Sequence, residues 1–211
     1  LYIVHRVDGG AEKERLVSLT GEPREIIRSD QAVACLVPGR NEPINVGRRA
    51  NGRSFSPLRG IEPQALGQHY RFELLQGDRV AGREVFQVMV EPKDDLRFGY
   101  RVAIDQATFL PLRSMTLGPN RQPLTQMMFT ELKVNEGITP IEHDVSALQM
   151  AKADPADWSP LARLAPAAWD FGEIPPGFRL NLHRRRALDR PSAELEHFIF
   201  SDGLATVSVY V

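Results

Sequence analysis

Cysteine is nearly missing: of 211 residues only Cys35 carries a thiol, so no internal disulfide can form. A lone cysteine leaves the redox compartment open, and inside "AVACLVP" it reads as a small hydrophobe in a strand. Neither sign of charge is in excess, since 26 basic residues face 27 acidic ones. Composition therefore supplies no global pull toward nucleic acid or an anionic membrane. No run reaches the ~20 apolar residues of a membrane-spanning helix. No signal peptide is visible. Leu1 opens and Val211 closes inside strand-like runs, which leaves a targeting segment outside this sequence open. G-x-S-x-G, G-x-x-x-x-G-K-[ST] and G-x-G-x-x-G are all missing. The five histidines, His5, His69, His143, His183 and His197, stand singly, without zinc-site spacing. No catalytic residue, metal site or cofactor is expected.

What the chain has is alternation. Over residues 1–134 it reads as a meander of strands. "LYIVHRV" and "KERLVSL" are joined by Asp8-Gly9-Gly10, residues that tolerate positive φ and so signal a hairpin. "REIIR" and "AVACLV" follow as further strands. From Pro38 to Pro63 proline, glycine, asparagine and arginine crowd into a long irregular excursion. "IEPQALGQ", 61–68, predicts a short helix. Period-two alternation then resumes. Tyr70, Phe72 and Leu74 oppose Arg71 and Glu73; Phe86, Val88 and Val90 oppose Arg83, Gln87 and Glu91. Phe98, Tyr100, Val102 and Ile104 oppose Arg97, Gly99 and Arg101. A hairpin through Asp105–Thr108 leads into a strand that tolerates Pro111 near its start. "LTQMMFTELKV", 124–134, predicts the last strand. One face of this sheet is apolar and the other charged, so the charged face is expected in solvent.

Residues 135–160 lose the alternation and read as a linker. From 161 a smaller unit follows: a short helix in "LARLAPAAWDF", then three strands, the last two joined by Asp202-Gly203. Three polar clusters bear on chemistry. "EHDVS", 142–146, sets acid, base and hydroxyl side by side, whereas triads converge from separate elements. Glu91, Asp94 and Asp95 lack the spacing of a calcium loop and suit a charged hairpin tip. "HRRRALDR", 183–190, holds four arginines in eight residues. Arg184, Arg185 and Arg186 are either a solvated strand end or an anion-binding patch for an acidic headgroup or peptide. "GRRANGR", 47–53, adds three more. Few aromatics interleave these runs, which argues against a nucleic-acid platform.

Longer stretches carry a family resemblance. "HRVDGGAEKERLVSLTGEPREIIR", "YRFELLQGDRVAGREVFQVMVEPKDDLRFGYRVAIDQATFLPLRSM" and "MMFTEL" resemble the MucB/RseB family, and "IPPGFRL", 174–180, is similar to the start of its small C-terminal domain. The resemblance implies a mainly β, α+β fold. Residues 1–134 would form a curved antiparallel half-barrel sheet packed on helices, like the lipoprotein carriers. After the linker, 161–211 would form a small α+β domain, truncated at its end. It also implies a periplasmic, non-enzymatic negative regulator of envelope-stress sigma-factor signalling. Such a regulator binds the periplasmic segment of a membrane-spanning anti-sigma factor of the MucA/RseA type and shields it from regulated proteolysis. Lipid or lipopolysaccharide is the implied releasing signal. The candidate lipid face is drawn from Phe72, Leu74, Phe86, Val88, Phe98, Tyr100 and Val102. A periplasmic lipid or lipoprotein carrier is the rival function, and a homo-oligomer stays open.

Overall fold

Two glycines set the first hairpin. Gly9 and Gly10 take φ of 57° and 87°, a left-handed pair that turns β1 (Tyr2–Asp8) back onto β2 (Ala11–Val17). The computed structural model describes residues 1–29, 32–36, 44–48, 63–135, 159–160, 169–187 and 194–211. β3 (Glu25–Ser29), β4 (Ala32–Leu36) and β5 (Ile44–Arg48) complete a five-stranded antiparallel sheet in sequence order. β5 falls within the stretch expected to be irregular. Val4, Leu16 and Ile27 are buried, and Cys35 is half-buried opposite Ile26. Glu14 is buried as well, within 3.2 Å of His5 and 3.7 Å of Arg28.

The helix expected near 61–68 is α1 (Pro63–His69). Pro63 suits a first helical position, where no intrahelical N–H partner is needed. The chain passes straight into β6 (Tyr70–Val80), which turns through Ala81 and Gly82, both at positive φ, into β7 (Arg83–Pro92). β8 (Gly99–Asp105), β9 (Pro111–Leu117) and β10 (Pro123–Met128) follow, giving the order β10-β9-β8-β7-β6. Pro111 is the first residue of its strand, where its missing N–H costs no ladder bond. The run 124–134 is not one strand. β10 stops at Met128, Phe129 donates to the Leu112 carbonyl, and Phe129 and Leu132 pack on Val80, Val85, Ala103 and Leu112. The third sheet has the order β11 (Ser159–Pro160), β12 (Arg179–Ala187), β13 (Glu194–Ser201), β14 (Thr206–Tyr210). It thus has one short strand more than expected, and Gly203 at φ 107° sits in its last turn. Phe171 meets Phe198 and Phe200 edge-on, and His183 stacks on Phe198 while Glu196 accepts from it at 2.5 Å.

The fold is mainly β, with open antiparallel sheets. Its residues gather into two compact units, one on β1–β5 and one on α1, β6–β10 and most of the third sheet.

Burial in the second sheet does not follow polarity alone. Tyr70 and Val90 are buried on the apolar face, but Val85, Ala103, Asp105 and Leu112, with Gln87 beside them, are buried as well. Val85, Ala103, Asp105 and Gln87 lie on the face expected to be solvated. Asp105 is tolerated there because Arg83 grips both its oxygens at 2.8 and 2.9 Å, and Thr108 donates its amide and hydroxyl. The Arg83 hydrogen bond leads, outweighing burial, and with the Thr108 donors holds the Asp105 carboxyl at about 2. A folded-state value below the unfolded one adds stability above pH ~4 that is lost as pH falls toward 2. Asp105→Asn should therefore lower the thermal midpoint at pH 6 and flatten its fall between pH 4 and 2. Parallel slopes for both proteins would disprove that role.

Candidate functional site

Register decides what the apolar side of the second sheet presents. Phe72, Val90 and Tyr100 lie in one cross-strand row, and Leu74, Val88 and Val102 in the next. Phe86 pairs with Ile104, and Ser114 links Val102 to Met127 on β10. Partners in register share a face, so six of the seven candidate lipid residues meet on one surface. Phe98, the seventh, precedes β8. Phe72 is 47% exposed, Leu74 70%, Phe86 39% and Phe98 50%. Val88, Tyr100 and Val102 are half-buried. A contiguous exposed apolar patch of this kind marks a ligand or partner surface.

One end of that surface is closed. Leu66 of α1 packs with Tyr70 and Val90, and Val88, Tyr100 and Leu204 lie against them. Leu204 comes from the β13–β14 turn, which is fastened here by charge. Arg97 and Asp202 both have fully buried side chains, and Arg97 Nε donates to Asp202 Oδ2 at 2.7 Å. The Tyr70 hydroxyl donates to the same oxygen at 2.9 Å. The other oxygen of Asp202 accepts the amides of Leu204 and Ala205 at 2.9 and 2.8 Å. Arg97 also donates to the Asp94 carboxylate and the Pro176 carbonyl. Its guanidinium stands 5.0 Å from the Phe178 ring centroid and 5.9 Å from that of Tyr70.

The energetics follow from burial. Burial pushes the Asp202 carboxyl up, but Arg97, the Ala205 and Leu204 amides and Tyr70 outweigh it and hold it below the usual carboxylate range. Burial, then the Asp202 charge, lifts the Tyr70 hydroxyl well above the ordinary tyrosine range, so it stays a donor. "IPPGF" is seated by the same junction: a Cβ on Gly177 would lie 2.3 Å from His69 Nε2, and its φ is 86°. A side chain there would have to displace the His69 ring.

Among the described residues the arrangement holds no convergent nucleophile and base. It is an exposed apolar face with a charge-locked end. Of the polar clusters weighed in the sequence, Asp94 pairs with Arg97 and Glu91 with Arg121. "EHDVS" lies outside the described residues. Arg184, Arg185 and Arg186 fall within β12, which runs on to Ala187, and their side chains are not among those described. Sequence reasoning missed Arg97, Tyr70 and Asp202 as a unit. Alternation placed Arg97 on a solvated face, and no periodicity links residues 105 positions apart.

Residues 1–156 match the MucB/RseB N-terminal domain family and residues 163–211 the MucB/RseB C-terminal domain family. The sigma factor AlgU regulatory protein MucB of Pseudomonas aeruginosa is 32% identical over 99% of this chain and 63% of its own length. The sigma-E factor regulatory protein RseB of Haemophilus influenzae is 29% identical over 93% of this chain and 61% of its own. The chain thus spans under two thirds of these relatives. Among solved structures, the complex of Pseudomonas aeruginosa MucA/MucB aligns with a TM-score of 0.66 at 29% identity, covering 99% of this chain and 67% of that one. A crystal structure of MucB aligns at 0.60 with 30% identity, covering 99% and 66%.

Proposed function

The chain belongs to the MucB/RseB family, and on that premise we propose that it is a periplasmic negative regulator of envelope-stress sigma-factor signalling. It binds the periplasmic segment of a membrane-spanning anti-sigma factor and shields that segment from regulated proteolysis. The observation that carries this is the match of both family domains, together with a relative solved as a complex with MucA. The regulator is a binding protein, not a catalyst. Residues 1–134 and 161–211 act as two domains with 135–160 between them, and the partner engages both. Arg184, Arg185 and Arg186 serve as an anion patch for an acidic stretch of the partner.

The signal is a lipid or lipopolysaccharide whose acyl chains lie on the face of Phe72, Leu74, Phe86 and Val102. Each buried CH₂ contributes about 0.8 kcal/mol. Such a ligand releases the partner only by binding the free or rearranged protein better than the complex. That open face also favours a second reading, a lipid or lipoprotein carrier, which would not need the anti-sigma segment.

The test is a protection assay with the full chain and the periplasmic segment of a cognate anti-sigma factor. The chain should slow cleavage of the segment by the regulatory protease, and acyl lipid should restore cleavage. Unchanged cleavage with lipid still bound would favour the carrier.

A further inference from the structure

The face opposite the apolar one carries an arrangement that neither partner protection nor acyl binding uses. Register sets Arg101 between Met89 and Met115, and Arg113 between Ala103 and Met128. Gln87, paired with Ala103, shares that face and is 5% exposed. Its side-chain nitrogen donates to the Gln76 carbonyl at 3.1 Å. Gln76 and Gly77 occupy the register shift between Leu75 and Asp78, so a bulge in β6 supplies that acceptor.

With its amide pinned, Gln87 holds its oxygen in place for two cations. Arg101 Nε donates to it at 2.8 Å and Arg113 Nη2 at 3.1 Å. Among the described residues one carboxylate answers them: Asp78 accepts from Arg113 Nη2 at 2.9 Å. Two guanidinium groups and one carboxylate leave a positive charge over, on a surface where the Arg113 side chain is only 17% exposed. Arg113 Nε is sealed from solvent and has no acceptor among the described residues. Arg101 bonds through Nε alone, so its Nη groups meet no acceptor among the described residues.

A network whose only task was to brace the sheet would not gather like charges round a neutral oxygen. A tetrahedral oxyanion neutralises that surplus charge. Guanidinium forks donate in pairs to phosphate oxygens, and the Arg101 fork keeps its Nη pair clear of described acceptors beside Arg113. We propose that Arg101 and Arg113, seated on Gln87, form a phosphate-binding site on this face of the second sheet. The phosphate is either the free ion or the headgroup of a phospholipid.

Titrations of the full chain at constant ionic strength separate the two sources. One arm uses inorganic phosphate and another short-chain phosphatidic acid below its micelle concentration. Neutral diacylglycerol of the same chain length controls for acyl binding, and a pentaglutamate peptide for any anion. Arg101→Gln is the principal variant, because it removes one fork while leaving the Arg113–Asp78 pair. The wild type should show saturable binding, seen as a rise in thermal midpoint that depends on ligand concentration. Arg101→Gln should weaken that binding by roughly tenfold or more while its ligand-free midpoint stays near wild type. Arg101-dependent binding of inorganic phosphate assigns the site to the free ion. Dependence seen only with phosphatidic acid, beyond the diacylglycerol control, assigns it to a headgroup. No saturable binding in either arm overturns the proposal. So does equal affinity in the variant, or Arg101-dependent binding of pentaglutamate without phosphate binding.

Discussion

Arg97→Ala should destabilise the unit built on β6–β10 by about 3–5 kcal/mol, among the largest losses open to a single substitution here. The reason is the charge it strands. Asp202 has no exposed side-chain surface, and Arg97 Nε at 2.7 Å is its only cationic partner among the described ion pairs. Without Arg97, burial dominates and the carboxyl is driven toward its neutral form. In the intact protein the folded-state value of Asp202 is depressed. Its stabilisation is thus present above the unfolded value near pH 4 and lost as pH falls. In Arg97→Ala the sign reverses, and acidification from pH 7 to 5 should recover part of the loss. Replacing Arg97 and Asp202 together by leucine should also recover much of it, because no buried charge remains unpaired. Denaturant unfolding at pH 7 and 5 measures all three proteins. A loss under about 1 kcal/mol for Arg97→Ala would show that the pair does not fasten the β13–β14 turn to the sheet.

Phe72→Ser combined with Phe86→Ser should weaken acyl-lipid binding by about a hundredfold with little change in folding stability. Both rings are exposed by more than a third, so folding gains little from them. A bound acyl chain would cover them, and each aromatic contact surface then contributes on the order of 1.5 kcal/mol. Two such losses amount to roughly two decades in affinity. The comparison is Phe198→Ser, which removes a fully buried ring and should unfold the third sheet. Calorimetric titration with a lysophospholipid, paired with thermal melts, reads both quantities. Undiminished binding would remove the face from the lipid site. A stability loss of several kcal/mol would show instead that the face is core.

Local chemistry accounts for what was legible beforehand. Asp8-Gly9-Gly10 and Asp202-Gly203 announced their turns because positive φ is cheap for glycine. Period-two runs located β6, β7 and β8 and grouped Phe72, Leu74, Phe86, Val88, Tyr100 and Val102 on one face, since successive side chains in a strand point to opposite sides. The same rule failed at 124–134. There the apolar residues Phe129 and Leu132 leave the strand to pack on Val80, Val85, Ala103 and Leu112, and packing overrides strand propensity.

The amino-acid sequence by itself determined most of the strands, the hairpins at Gly9-Gly10 and Gly203, the family resemblance and the apolar row of the second sheet; β5, β11 and the end of β10 it did not. Only the tertiary structure decided which face is buried. Polarity suggested that Gln87 and Arg97 look into solvent. Partners distant in sequence reverse that: the Gln76 carbonyl for Gln87 and Asp202 for Arg97. A charge is buried when its partner's geometry offsets the loss of water, and that geometry is a property of the folded chain.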